Sequence, residues 1–272
     1  MTRFIWSPAG LRFLLSFLSV MGCLRTSTRI SCFFLSVAVA YAEANSPVTI
    51  TATQISAAPP AMVIGFVGGF VKHDNAVHST VQVVKHLRKQ YSAGVYVEAF
   101  ENRHREKAYQ EIWRRLDRNH DGKLSAEEKR DARIIIFGHS WGASETVTLA
   151  RRLERDGIPV LLTIQVDSVS KIGQNDTVIP GNVGQAVNFY QPDGIVHGRP
   201  AIRAADPART EIVGNFRFDY KANPISCDGY PWFDRVLVKA HTEIECDPRV
   251  WNQVETLIYS KLPPETRDTA TR

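Results

Sequence analysis

Apolar residues arrive along this chain in two rhythms. Short runs rich in β-branched residues alternate with stretches in which apolar residues return at helical spacing. Ala61-Met62-Val63-Ile64-Gly65-Phe66-Val67 reads as a buried strand running into Gly68-Gly69. Ser79-Thr80-Val81-Gln82 has capping-box form and predicts a helix starting at Ser79, with Val84, Leu87 and Tyr91 on its stripe and Gly94 as its stop. Val95 to Phe100 predicts a second strand, and Arg105 to Leu116 a second helix with Ala108, Ile112 and Leu116 on one face. Arg133 to Phe137 is a third strand. It is followed by a helix over Ala143 to Arg155, a strand over Val160 to Val166 and another over Ala186 to Tyr190. Thr210 to Phe218 is expected to form an edge hairpin with the segment before it. Asp247-Pro248 predicts the cap and first position of a final helix carrying Val250, Val254 and Leu257.

Strands alternating with helices of this length imply βαβ units. The expected fold class is therefore α/β, with a mostly parallel sheet and helices on both faces. Fewer than twenty residues separate Asp167 from Ala186, too few for a large cap domain there. At 272 residues with no internal repeat, one catalytic domain over 61–272 preceded by a leader is the simplest partition.

The first 42 residues change the reading of charge. They carry Arg3, Arg12, Arg25 and Arg29 with no acidic residue, so the formal net charge of +5 falls to about +1 without them, and no electrostatic case for nucleic acid survives. Two apolar runs, Leu11 to Leu24 and Ile30 to Ala40, flank a basic stretch, and Ala40-Tyr41-Ala42 fits signal-peptidase cleavage. Residues 1–42 are thus expected to be an export signal, with Met21 as an alternative start, and 43–60 a linker. Both runs are short for a spanning helix; a membrane-anchored leader or a lipid on Cys23 are the alternatives. Export would leave Cys227 and Cys246 as an even pair bracketing His241, which an oxidising compartment favours joining.

Gly138-His139-Ser140-Trp141-Gly142 matches G-x-S-x-G, and its context is a buried strand before and an amphipathic helix after. Such a strand-to-helix turn pushes the serine hydroxyl out of the sheet, and the helix N-terminus favours the negative charge that develops in acyl transfer. With these flanks the chain resembles the α/β-hydrolase superfamily, in particular its thioesterase and lipase-like members, from about Val63 to Leu262. The resemblance implies a triad in the order Ser, acid, His. Downstream of the elbow lie His197, in a polar loop, and His241; the position of His241 shortly before the last helix is where such hydrolases carry the catalytic histidine on a loop. Asp167 at the end of its strand is favoured as the acid, with Asp193, in a Pro-Asp-Gly turn after the next strand, as the alternative. The resemblance further implies an oxyanion hole from the N–H of Trp141 and one from Gly68-Gly69-Phe70, with Gly69 and Phe70 the candidates.

Asp117 to Glu128 fits a twelve-residue EF-hand loop. Asp117, Asn119 and Asp121 offer side-chain oxygens, Lys123 its carbonyl, Ser125 a direct or water-mediated contact and Glu128 a bidentate carboxylate, while Gly122 permits the sharp turn. No second hand appears, so a structural calcium is expected rather than a sensor, and no organic cofactor. The expected activity is hydrolysis of a small-molecule or lipid-like acyl ester or thioester by an exported monomer. The rival reading is a non-catalytic, calcium-stabilised binding protein on the same fold.

Overall fold

The computed structural model describes residues 61–91 and 93–264; the predicted leader and linker lie outside them. In chain order the elements are β1 (Ala61–Val67), α1 (Ser79–Gln90), β2 (Val95–Glu101), α2 (Arg105–Leu116), α3 (Ala126–Arg130), β3 (Ile134–His139), α4 (Trp141–Arg155), β4 (Val160–Val166), β5 (Val178–Ile179), β6 (Val183–Tyr190), β7 (Arg203–Ala204), β8 (Glu211–Arg217), α5 (Trp232–Leu237), α6 (Lys239–Cys246) and α7 (Pro248–Tyr259). Among the described residues no helix is long and apolar enough to cross a membrane.

Six strands form one sheet in the order β2-β1-β3-β4-β6-β8, and every pairing in it is parallel. Alternate side chains of β1 leave on opposite faces, as the pleat requires, and each face has its own apolar layer. On one face Val63, Ile135 and Ile164 pack with Val83, Val84 and Leu87 of α1 and with Val250, Val254 and Ile258 of α7. On the other, Met62, Ile64 and Phe66 pack with Ala108, Ile112 and Leu116 of α2 and with Val147, Ala150 and Leu153 of α4. Each large apolar side chain withdrawn completely from water, such as Ile112 or Leu116, contributes about 1.5–3 kcal/mol.

Because α1 covers one face and α2 and α4 the other, the connections leaving the adjacent strands β1 and β3 part in opposite directions. Their carboxyl ends are therefore the topological switch point, the position where open parallel sheets hold ligands.

Three local expectations need correction. Ser79 is not the cap of α1: His78 occupies that position without a side-chain cap, and the Ser79 hydroxyl donates to the Glu245 carbonyl at 2.6 Å. A contact from another helix outcompetes the local bond. The segment 210–218 forms no hairpin, because β8 lies parallel to β6, an arrangement that requires a crossover rather than a tight turn. His241 stands on a helix, α6, rather than a loop. Asp247 does cap α7, accepting the Arg249 N–H, with Pro248 first in the helix.

Candidate active site

A single residue turns β3 into α4. Ser140 has φ 56° and ψ −125°, outside the regions that L-residues normally occupy. Its neighbours hold it there: the Ser140 N–H donates to the Val166 carbonyl at 3.0 Å, and its own carbonyl accepts from Ala143 at 3.0 Å and Val169 at 3.2 Å. Two glycines make room. A Cβ on Gly142 would stand 2.1 Å from the Phe66 carbonyl oxygen, and one on Gly138 2.6 Å from the Gly142 carbonyl.

The Ser140 Oγ lies 2.9 Å from His241 Nε2, and His241 Nδ1 lies 2.6 Å from Asp167 Oδ2. With its proton on Nδ1, facing the carboxylate, the ring offers Nε2 as the acceptor for the serine hydroxyl. Asp167 is itself in a strained turn, φ 44°, at the end of β4, and is wholly buried. Its Oδ1 accepts the N–H groups of Gly198 at 2.6 Å and Gln191 at 3.2 Å, and its Oδ2 accepts Gln191 Nε2 at 2.8 Å. Every lone-pair direction of the carboxylate is thus used, and only the imidazole is left to orient.

Three side chains from the ends of β3 and β4 and from α6 therefore meet at the carboxyl edge of one parallel sheet, with the serine on a strained elbow. This is the α/β-hydrolase fold.

No protein-family model matches the chain, and no relative is found among curated protein sequences. Among solved α/β-hydrolase structures it is similar to a thermostable esterase from Pseudomonas putida, at 11% identity and TM-score 0.41 over 76% of each chain. It is also similar to the RedJ thioesterase of the prodiginine pathway of Streptomyces coelicolor, at 12% identity and TM-score 0.34 over 69% of this chain and 92% of that one. A third is dienelactone hydrolase from Anabaena variabilis, at 10% identity and TM-score 0.35 over 74% and 85% of the two chains. These likenesses are distant.

Asp193, the alternative acid, does not reach the histidine: its carboxylate pairs with Lys221 Nζ at 2.7 Å and its N–H donates to Gln191 Oε1. His197 is exposed and lies against the Gly198 carbonyl. On the oxyanion side, Trp141 opens α4, and Gly68 packs so closely on the elbow that a Cβ there would stand 3.0 Å from the Ser140 Cβ. Gly69 follows with φ +44°, and Asn102 donates to the carbonyls of both Val67 and Gly69, which fixes the loop. Phe70 is 84% exposed and meets Trp141 edge-on with ring centroids 5.5 Å apart. Cys227 and Cys246 are joined as a disulfide, with Cα atoms 5.9 Å apart. The bridge encloses α5 and the turn of α6 that carries His241.

The predicted calcium loop lies between α2 and α3. Gly122 takes φ +76° and His120 φ +57° at its tight turn. Asp117 accepts the N–H groups of Asp121 and Gly122, Asn119 Oδ1 accepts that of Asp121, and Asp121 Oδ1 accepts that of Lys123. Glu128 and Ser125 form a reciprocal capping box at the start of α3. N–H groups of Ser125 and Arg118 hold the Glu128 carboxyl below its ordinary range. Among the described residues, no group of three or more His, Cys, Asp or Glu side chains is gathered tightly enough to hold a metal ion. The oxygen-rich donor set suits a hard cation, but Glu128 would have to exchange its capping bonds for it.

Some functional neighbours escaped the sequence. Gln191 and Asn102 lie just beyond β6 and β2, at the same sheet edge as the serine; position at a strand's carboxyl end is the signal that could have singled them out. A buried group formed by His78, His139 and Glu245 has no such signal, because it joins three segments distant in sequence.

Proposed function

We propose that the chain is a serine hydrolase that cleaves a carboxylic ester or thioester through an acyl-enzyme on Ser140. The observation that carries this reading is the continuous hydrogen-bonded line from Ser140 Oγ through His241 to Asp167. His241 takes the hydroxyl proton as Oγ attacks the acyl carbonyl, and Asp167 steadies the imidazolium that results. The N–H of Trp141, with that of Gly69 or Phe70, receives the charge on the carbonyl oxygen. The protonated histidine then delivers its proton to the departing alcohol or thiol. A water activated by the same base hydrolyses the acyl-enzyme and restores the free serine.

The substrate is a small or lipid-like acyl compound, the catalytic domain spans 61–272, and the protein acts as an exported monomer. Residues 117–128 hold a structural calcium that braces the connection between α2 and β3. The test is labelling with a fluorophosphonate probe. The wild-type chain should be labelled and Ser140→Ala should not, with hydrolysis of p-nitrophenyl esters or acyl-CoA lost in parallel by about 10³-fold or more. An unlabelled wild-type chain that is correctly folded would favour the binding-protein reading.

A further inference from the structure

The variable position of the elbow holds a residue that the triad does not use. His139 is buried, its ring lies against that of His241 with centroids 4.6 Å apart at 33°, and neither of its nitrogens has a hydrogen-bond partner. A buried polar side chain without partners costs stability, and nothing in a strand-to-helix turn demands one here.

What faces it is a buried carboxylate. Glu245 sits four residues after His241 on α6, so the two share a helix face. Its Oε1 accepts from His78 Nδ1 at 2.6 Å, and its Oε2 lies 3.4 Å from His139 Nδ1. Burial alone would raise this carboxyl, but its interactions with the surrounding imidazoles, His139 first, and the His78 hydrogen bond outweigh it and hold it below its ordinary range. His139, pushed down to about 4 chiefly by burial, is neutral. The other groups facing Glu245 carry no compensating positive charge. Tyr230, edge-on to His78, has a hydroxyl whose ionisation burial opposes, and Asp234 of α5 is raised by burial and by Glu245 itself. Ser79 contributes only the bond to the Glu245 carbonyl.

We propose that Glu245, acting through the adjacent ring of His139, is a positioning residue that stabilises the positive charge His241 acquires when it takes the Ser140 proton. This rests on the triad reading above. Asp167 acts on the imidazole by direct contact at Nδ1. Glu245 is a second negative charge in the same buried interior, where a Coulombic interaction is several times stronger than in water. The neutral imidazole of His139 fills the space that water would otherwise take.

The test is the pH dependence of fluorophosphonate labelling in the full chain, for wild type, Glu245→Asp and Glu245→Gln, with melting curves recorded alongside. In Glu245→Gln, which keeps the shape and loses the charge, the midpoint of the acid limb should move down by about one pH unit, with a slower plateau rate. Glu245→Asp draws the charge back by one methylene and should fall between the two. A contact that only staples α6 to α1 would change melting temperature and leave the midpoint in place. An unmoved midpoint in a folded, labelled Glu245→Gln chain overturns the proposal; if that variant does not fold, an unmoved midpoint in Glu245→Asp does so. A wild-type chain that takes no label refutes the triad reading instead.

Discussion

At the scale of single residues, the site depends on positions where a side chain must be absent as much as on those where one acts. Gly142 passes against the Phe66 carbonyl so closely that an added methyl group would overlap backbone on a central strand, which cannot give way. Gly142→Ala should therefore cost about 3 kcal/mol or more and displace the elbow, read as a lower melting temperature and loss of labelling. Gly181→Ala, whose Cβ would meet nothing closer than 3.6 Å, is the control and should change stability by less than about 1 kcal/mol. Ser140 and Asp167 both hold positive φ, and at the sheet edge this strain falls on the two residues whose side chains must leave it at an unusual angle. The glycines and the serine were legible because G-x-S-x-G records this steric demand directly. The preference for Asp167 over Asp193 rests on its place directly at a strand end, whereas the loop carrying Gly198 and Gln191, which turns its carboxylate inward, leaves no mark in local pattern.

Among the elements, those fixed by local pattern were read most closely. α2 and β4 have the bounds their periodicity predicts, because their apolar spacing and their burial agree. Where partners distant in sequence decide, local pattern is silent: β8 is an edge strand whose exposed and half-buried residues do not reveal that its neighbour is β6, and α6 is tied by the disulfide to Cys227 and by Glu245 to His78 and Ser79 at the start of α1. The loop 117–128 is the element whose metal reading most needs measurement. If it binds calcium only when folded, a hundredfold excess over Kd adds about 2.7 kcal/mol, or roughly 5–10 °C in Tm for a domain of this size. Melting with added calcium and with excess chelator checks this, and identical curves would remove the brace.

For the molecule as a whole, the buried imidazole of His139 ties stability to acidity. Its folded-state pKa of about 4 lies below the unfolded value of 6.5, so the unfolded chain binds the proton more readily between those limits. The stability of the fold with His139 neutral is fully present above pH 6.5 and is lost as the pH falls towards 4, by on the order of 3 kcal/mol. Glu245, held below its ordinary range, weakens the fold in the same direction at the acid end. Melting temperature should thus decline from pH 6.5 to 4, and His139→Gln should flatten that decline even if it lowers the plateau. The covalent link between Cys227 and Cys246 has a different reach. Ser140 and Asp167 stand at the ends of central strands that need no crosslink, whereas His241 arrives on a segment whose first helix, α5, buries none of its residues. Reduction, or Cys227→Ser, should cost about 3 kcal/mol for a loop of this length and abolish labelling at temperatures where the sheet still holds. A reduced chain would then keep Ser140 and Asp167 in place at the sheet edge while the segment carrying His241 drifts away from them.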